Sequence, residues 1–105
     1  MKMIRAIIRP EKEEEVVKGL ENAGFPSVTK MDVFGRGKQK GIQVGTAVYD
    51  ELAKTMILVV VEDSGVEKAS EAISQAAKTG NFGDGKIFVS PVDSVATIRT
   101  GKIGL

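Results

Sequence analysis

The sequence predicts an α+β fold, a ferredoxin-like βαββαβ sandwich with a long loop between its second and third strands. One observation is the order of periodic segments, which runs strand, helix, strand, strand, helix, strand. Another is the unbroken apolar run in TMILVVVE (55–62), which indicates a strand buried on both faces. Right-handed crossovers put both helices on one face of the sheet, so we expect a partner subunit to cover the opposite face.

The first half of the chain begins with a strand, MIRAIIR (3–9), in which apolar positions rich in isoleucine alternate with mixed ones. Pro10 suits the first turn of the following helix, because its missing N–H would have no intrahelical partner there. Glutamates follow near the positive end of the helix dipole, and Gly24 is expected to end the helix. VTKMDVF (28–34) alternates again as a second strand, and residues 35–50 are predicted to form a long loop.

The second half continues from the third strand into a second helix. SGVE (64–67) is a capping-box pattern at the start of that helix, whose apolar face then runs to a glycine-rich stretch. GKIFVS (85–90) is predicted to be the fourth strand, and SVATIR (94–99) a short fifth one. The aromatic side chains of Phe34 and Phe88 are expected in the core.

Composition narrows the classes of function. Fifteen basic and fourteen acidic residues leave a net charge of +1, so no overall field attracts nucleic acid or an anionic membrane. The chain has no cysteine and no histidine, which excludes disulfides, thiolate chemistry, and the commonest metal ligand and general base. The N-terminal apolar stretch is too short and too charged for a signal peptide or a spanning helix, so we expect a soluble, cytoplasmic protein.

Two loops combine glycines with cations. TGNFGDGK (79–86) places three glycines, an aspartate and a lysine before the fourth strand, and GRGKQKG (35–41) sets an arginine and two lysines among three glycines. Such loops are often ordinary turns. Successive exposed backbone N–H groups, however, form a nest for anionic oxygens, and an adjacent lysine adds a point charge. Neither loop fits the Walker A pattern, so the residues favour a phosphate site without an obvious catalytic base.

These motifs resemble the PII family of nitrogen-signalling proteins. TGNFGDGKIFV followed by IRTG, AIIRPEK near the start, and FGRGKQKG between them carry the resemblance, which covers nearly the whole chain. It implies one PII-like domain over residues 1–105, with a mobile T-loop at 35–52, a nucleotide-binding B-loop at 79–86 and a short C-terminal tail at 99–105. It also implies a trimeric, non-catalytic sensor that binds ATP or ADP with Mg²⁺ between subunits, and that binds 2-oxoglutarate.

The resemblance assigns residues to each ligand by position. For the nucleotide they are Ile7, Thr29, Gly35, Gly37, Lys38, Gln39, Val60, Gly83, Asp84, Gly85, Lys86 and, from a neighbouring subunit, Arg99. For 2-oxoglutarate they are the backbone amides of Gln39, Lys40 and Gly41 and, at the distal carboxylate, Lys54. Gln39 would also complete the coordination of the nucleotide-bound Mg²⁺.

The chain departs from the general PII pattern in three ways. Thr97 stands where the family usually has an arginine, the loop at 42–52 is shorter, and Tyr49 is not in the setting of the tyrosine that is uridylylated elsewhere. These features resemble a nitrogenase-regulating branch, encoded among nitrogen-fixation genes of methanogens and some anaerobic bacteria. That resemblance implies nitrogenase as the target, and a homotrimer or a mixed oligomer with a paralogue. The loop residues implied in the contact are Val44, Val48, Tyr49 and Glu51.

Other functions share parts of this pattern. A general PII regulator of an ammonium channel or a nitrogen-assimilation enzyme has the same motifs. An acylphosphatase-like enzyme needs an arginine and an asparagine facing a phosphate, and Asn81 is a candidate for the second role. An RNA-recognition module stacks bases on aromatic residues of its central strands, but MIRAIIR and TMILVVVE contain none. The sequence therefore favours the signalling protein over the enzyme and the RNA-binding module.

Overall fold

The computed structural model describes residues 1–36, 42–44, 47–49 and 51–105, the two short stretches as backbone only. Its elements, in chain order, are β1 (Lys2–Ile8), α1 (Glu13–Asn22), β2 (Thr29–Gly35), β3 (Ile42–Val44), β4 (Ala47–Tyr49), β5 (Leu52–Val61), α2 (Val66–Ala77) and β6 (Gly85–Pro91). Within these residues the main sheet is antiparallel, with the strand order β2–β5–β1–β6, and β3 pairs with β4 separately. The predicted ferredoxin-like α+β fold is confirmed.

Both helices cover one face of the main sheet and enclose the core there. Alternate residues of β1 and β5 reach this face, because successive side chains of a strand point to opposite sides. On the helices, buried residues recur every four positions and so share one helix face. The buried apolar side chains are Ile4, Ala6, Ile8, Ile57, Val59 and Val61 from the sheet, and Val16, Leu20, Ala69, Ile73 and Ala77 from the helices.

The opposite face of the sheet, called the open face below, is apolar and is not covered by either helix. Half-buried apolar side chains on this face are Met3, Ile7, Met56, Leu58 and Val60. Met31 and Phe88 are more accessible there, at 44% and 51% exposure. A contiguous apolar surface on a small domain is typical of a surface that a partner covers.

The predicted core positions of the two phenylalanines are wrong. Phe88 lies opposite Arg5 on the open face of the sheet. Phe34 is 76% exposed near the end of the edge strand β2, opposite Ala53. The strand register places Phe88 on the open face. Phe34 lies on the helix side of the sheet, but near the end of the edge strand, where it stays exposed.

Several predicted element boundaries are also wrong, for local reasons. Pro10–Lys12 forms a turn of 3-10 helix, and α1 begins only after it. Asp63–Gly65 forms a similar turn before α2, and no side-chain hydrogen bond caps either segment, so the predicted capping box is absent from these described residues. β5 begins at Leu52, earlier than predicted, because its first residues pair with the end of β2.

The predicted long loop contains a short hairpin, in which Ile42 pairs with Tyr49 and Val44 with Ala47. Side chains of this hairpin lie outside the described part of the chain, as do all of residues 37–41. The sequence did not reveal these strands, because three-residue strands are too short for an alternating pattern to stand out.

The C-terminal tail folds back on itself instead of adding a fifth strand to the sheet. Only one bridge forms in this region, between Ala96 and Ile103, supported by a 2.9 Å hydrogen bond from Thr97 N to Lys102 O. Within the described residues, neither helix nor any other helical segment has the length and apolar character needed to cross a membrane.

Gly85 lies where β6 starts beside the end of β1. A Cβ at this residue would lie 1.7 Å from the Ile7 carbonyl oxygen, and its φ is +111°. We expect Gly85→Ala to lower the free energy of unfolding by about 2–5 kcal/mol, since left-handed strain adds to overpacking. Gly24→Ala is the matched control, because Gly24 has φ +98° with nothing within 4 Å. The control should lose only about 1–2 kcal/mol; equal losses in chemical denaturation would contradict the close approach of β6 to β1.

Candidate functional site

The glycine loop, defined as residues 79–86, lies at the end of the main sheet where β1 stops and β5 begins. Ile8, the last residue of β1, has partners on both β5 and β6. Arg9 follows it, and continuation of the register places it between Lys54 of β5 and Asp84, which directly precedes β6. The fold thus brings together three charged residues that are far apart in the sequence.

The carboxylate of Asp84 closes the glycine loop. Its Oδ2 accepts hydrogen bonds from the backbone N–H groups of Thr79 and Gly80, each at 2.9 Å. Its Oδ1 accepts from the Thr79 hydroxyl and, at 3.2 Å, from Arg9 Nε. These bonds, that of the Thr79 hydroxyl first, hold the pKa of Asp84 well below its usual range. The carboxylate is therefore ionised, and both of its oxygens are already engaged within the protein.

Two cations hold carbonyl groups of the same loop. Arg9 Nη2 donates to the Phe82 carbonyl oxygen at 2.6 Å, and Lys54 Nζ donates to the Gly83 carbonyl oxygen at 2.5 Å. The Arg9 side chain is only 22% exposed. Hydrogen bonds from charged donors are stronger than neutral ones, so these contacts fix two consecutive peptide groups of a glycine-rich segment.

The cations at this end of the sheet lie close enough to affect one another. Burial lowers the pKa of Lys54, and the neighbouring Arg9 charge lowers it further, while Glu11 and Asp84 act in the opposite direction. Lys86 adds a third cation on the open face, since it pairs with Ile7 across β1 and β6. Clustered cations beside backbone amides are suited to bind phosphate or carboxylate groups.

The structure places some of the predicted ligand residues together and others apart. Those at this end of the sheet are Ile7, Gly35, Gly83, Asp84, Gly85 and Lys86, together with Lys54. Val60 instead pairs with Met3, which is about 13 Å from Ile7 at the spacing of residues in a strand. Thr29 lies between these extremes, opposite Leu58.

The remaining predicted residues lie in the tail and the long loop. Arg99 belongs to the tail, which leaves β6 at Pro91, at the end of the sheet opposite the glycine loop. Glu51 is exposed directly before β5. The predicted ligand residues Gly37, Lys38, Gln39, Lys40 and Gly41 lie outside the described residues, and Val44, Val48 and Tyr49 are described only as backbone of the β3–β4 hairpin.

Arg9 and Thr79 are parts of this arrangement that sequence reasoning did not single out. Arg9 bonds to residues 73 and 75 positions away, so no local pattern reports the pairing. The available signal was a cation between the end of a strand and Pro10. A residue before proline is restricted to extended backbone, and Arg9 has φ −64° and ψ 137°, which continues the direction of β1.

Comparison with known proteins gives matches along the whole chain. A sequence model of the family described as "Nitrogen regulatory protein P-II" matches residues 1–102. The chain is 58% identical, over the full length of both, to "Nitrogen fixation nifHD region GlnB-like protein 1" of Methanothermobacter marburgensis. It is 60% identical over both full lengths to "Nitrogen fixation nifHD2 region GlnB-like protein 1" of Methanosarcina barkeri. It is 50% identical to "Nitrogen regulatory protein P-II" of Azospirillum brasilense, over 99% of this chain and 96% of that protein.

The hydrogen bonds of Asp84 predict an acid-dependent stability. Because its folded-state pKa is depressed, its contribution is present above the ordinary carboxyl pKa of about 4 and is lost as the pH falls through the lower folded-state value. We expect Asp84→Asn to be less stable than the wild type at neutral pH, and the difference to narrow below pH of about 4. Denaturation at several pH values measures this.

Asp93→Asn is the matched control for this experiment. Asp93 is exposed and has no hydrogen bond or ion pair among the described residues. Its substitution removes the same charge and should leave the pH dependence of stability unchanged. A constant difference between Asp84→Asn and the wild type at every pH would show that the ionised carboxylate does not close the loop.

Proposed function

Because the chain belongs to the nitrogen regulatory protein P-II family, we propose that it senses nitrogen status in the cytoplasm by binding ATP or ADP and 2-oxoglutarate, and that it regulates nitrogenase without catalysing a reaction itself. The observation that carries this proposal is the glycine loop held against Arg9 and Lys54, with Lys86 following it. A glycine-rich backbone beside converging cations is suited to recognise phosphate and carboxylate groups.

Two copies of the chain would complete the nucleotide site. Ile7 and the glycine loop lie at one end of the sheet, whereas Val60 is about 13 Å farther along it and Arg99 follows the opposite end. We therefore assign Val60 and Arg99 to a neighbouring protomer. A trimer of this chain, or a mixed oligomer with a paralogue, would also cover the apolar open face with its exposed Phe88.

The described residues fit a bound polyphosphate. Lys86 supplies a point charge, and the glycine loop supplies amides without side chains to block approach. The oxygens of Asp84 already accept bonds from Thr79, Gly80 and Arg9, so we assign to it the shaping of the loop. Mg²⁺, when bound with ATP, neutralises phosphate charge, and we assign Gln39 to its coordination.

Lys54 is the residue that would hold the distal carboxylate of 2-oxoglutarate. Burial lowers the pKa of this half-buried lysine, and the neighbouring Arg9 charge lowers it further, so a bound carboxylate would offset an unfavourable environment for the charge. An ammonium has three donor hydrogens, and one of them is used by the Gly83 carbonyl. Occupation of Lys54 therefore acts directly on the loop that we assign to the nucleotide.

Nitrogenase is the proposed target. The similar proteins from Methanothermobacter marburgensis and Methanosarcina barkeri are named for nifHD regions of nitrogen fixation, which supports a role in that process. We assign the contact to the β3–β4 hairpin and its base, where Val44, Val48, Tyr49 and Glu51 lie. This hairpin directly follows Gln39, Lys40 and Gly41, which we assign to 2-oxoglutarate. Ligand binding there would therefore change how the hairpin is presented to nitrogenase.

A general regulator of an ammonium channel or a nitrogen-assimilation enzyme is the second candidate. It is favoured by the 50% identity to an Azospirillum brasilense protein whose name specifies no target. Co-purification of the wild-type protein with nitrogenase, or instead with an ammonium channel, separates the two. The acylphosphatase-like alternative gains no support, because Asn81 is an exposed turn residue whose N–H donates to Thr79 Oγ1 at 3.2 Å.

Lys86→Ala tests the nucleotide site. We expect it to weaken ATP binding by about 1.5–3 kcal/mol, the scale of a hydrogen bond to a charged group. Titration calorimetry with ATP, with and without Mg²⁺, measures the change. Lys18→Ala is the control, because Lys18 is exposed on α1 and its removal lowers the net charge equally. Sedimentation of the wild type and both variants should give a trimer or larger assembly at micromolar concentration.

Two outcomes would count against the proposal in different ways. Equal ATP affinity of Lys86→Ala and Lys18→Ala would mean that the glycine loop is an ordinary turn and not a nucleotide site. A monomeric wild-type protein would rule out a site shared between protomers.

Lys54→Ala tests the assignment of 2-oxoglutarate. We expect it to abolish 2-oxoglutarate binding in the presence of Mg-ATP. The affinity for ATP alone should fall less than in Lys86→Ala, since the hydrogen bond of Lys54 within the described residues is to a loop carbonyl. Gln39→Ala should weaken both ligands through the shared Mg²⁺. In the wild type, the two ligands must strengthen each other by the same factor. Normal 2-oxoglutarate binding by Lys54→Ala in calorimetry would disprove this assignment.

A further inference from the structure

Arg9 contacts the central peptide of a tight turn in the glycine loop. Residues 82 and 83 occupy the middle of this turn, and Gly83 has φ +95° while Phe82 has no positive φ. A positive φ at the second central residue of a turn favours glycine there. Type I and type II turns differ in the direction of the central peptide, which here joins Phe82 to Gly83. The direction of that one peptide decides where the Gly83 N–H points.

The guanidinium of Arg9 holds that peptide in one direction. Its Nη2 donates to the Phe82 carbonyl oxygen at 2.6 Å. In a trans peptide the C=O and the N–H point in opposite directions, so the N–H of Gly83 points away from Arg9. Among the described residues this N–H has no hydrogen-bond partner, which leaves it available to an anion on that side of the loop.

Arg9 is itself held in place by its surroundings. Its backbone is extended before Pro10, and its carbonyl oxygen accepts a 3.0 Å hydrogen bond from Lys12 N. Its Nε donates to Asp84 Oδ1 at 3.2 Å. The planar guanidinium therefore spans the turn from Phe82 to Asp84 with two donors in a fixed relative geometry, which the single ammonium of a lysine does not provide.

We propose that Arg9 is a positioning residue of the glycine loop, which sets the direction of the Phe82–Gly83 peptide and so presents the Gly83 N–H to a phosphate group. This inference rests on the proposed nucleotide binding and adds to it a residue outside the assigned ligand set. Arg9 acts on the bound phosphate through the loop, by the geometry of its two donors. A positive charge without that geometry does not replace it. Lys86, in contrast, acts as a point charge.

Substitutions that separate charge from geometry test this role. Arg9→Lys keeps the charge and loses the planar pair of donors, Arg9→Gln loses both, and Lys18→Gln removes one charge from an exposed position on α1. The Gly83 amide resonance is followed in ¹H–¹⁵N spectra of the ligand-free protein, and ATP affinity is measured by calorimetry. Dispersed spectra and unchanged sedimentation establish that each variant is folded and assembled.

We expect both Arg9 variants to shift the Gly83 resonance and to weaken ATP binding by about tenfold or more, the scale of one lost charge-assisted hydrogen bond. Lys18→Gln should change neither. Arg9→Gln should also have less effect when Asp84→Asn is already present, because the two side chains act on one turn.

Other outcomes overturn the proposal. Wild-type ATP affinity in Arg9→Lys would mean that charge suffices and that the turn geometry is not set by Arg9. An unshifted Gly83 resonance in Arg9→Lys and Arg9→Gln would show that the turn keeps its peptide direction without the guanidinium. If the wild type binds no ATP, the proposed function fails, and the Gly83 resonance of the ligand-free variants still decides whether Arg9 positions the turn.

Discussion

The glycine loop is arranged around the carboxylate of Asp84, which forms an ion pair with Arg9 and accepts hydrogen bonds from Thr79 and Gly80. A segment with three glycines has a large conformational entropy when free, and an exposed ion pair would contribute little to ordering it. Here the two side chains are only 22% and 25% exposed, and the carboxylate also binds Thr79 and Gly80. The Asp84 carboxylate therefore links the two ends of the glycine loop to Arg9, the residue that follows β1.

The register of the sheet determines which side chains reach this site. Lys54 and Lys86 reach the open face only because each occupies an alternate position of its strand, and a slip of one residue would turn both toward the helices. Gly85 enforces the register at β6, where the chain approaches the Ile7 carbonyl too closely for any side chain. The same alternation places apolar side chains on the open face, so the packed core and the uncovered apolar surface have one origin.

The sequence predicted features that depend on period and composition. Alternating and helical spacing predicts the fold class, and composition alone makes the glycine-rich segment a candidate anion site. Features that depend on long-range contacts were missed. Arg9 meets residues 73 and 75 positions away, and Phe88 faces Arg5 on the open face rather than the core. The capping-box pattern at Ser64 was overridden by a turn of 3-10 helix, a local choice that spacing alone does not distinguish.

Under the proposed function, communication between the two ligands would require little movement of the sheet. Arg9 fixes the Phe82 carbonyl and Lys54 the Gly83 carbonyl, so consecutive peptides of one loop are held by cations from different strands. A carboxylate bound at Lys54 would share the ammonium with the Gly83 carbonyl, and any rotation of that peptide would change the amides offered to a phosphate. Because coupling free energy is reciprocal, phosphate binding to those amides must bias Lys54 in return. In this proposal, the strands would act as a fixed frame and the loop between them would transmit the effect of one ligand to the other.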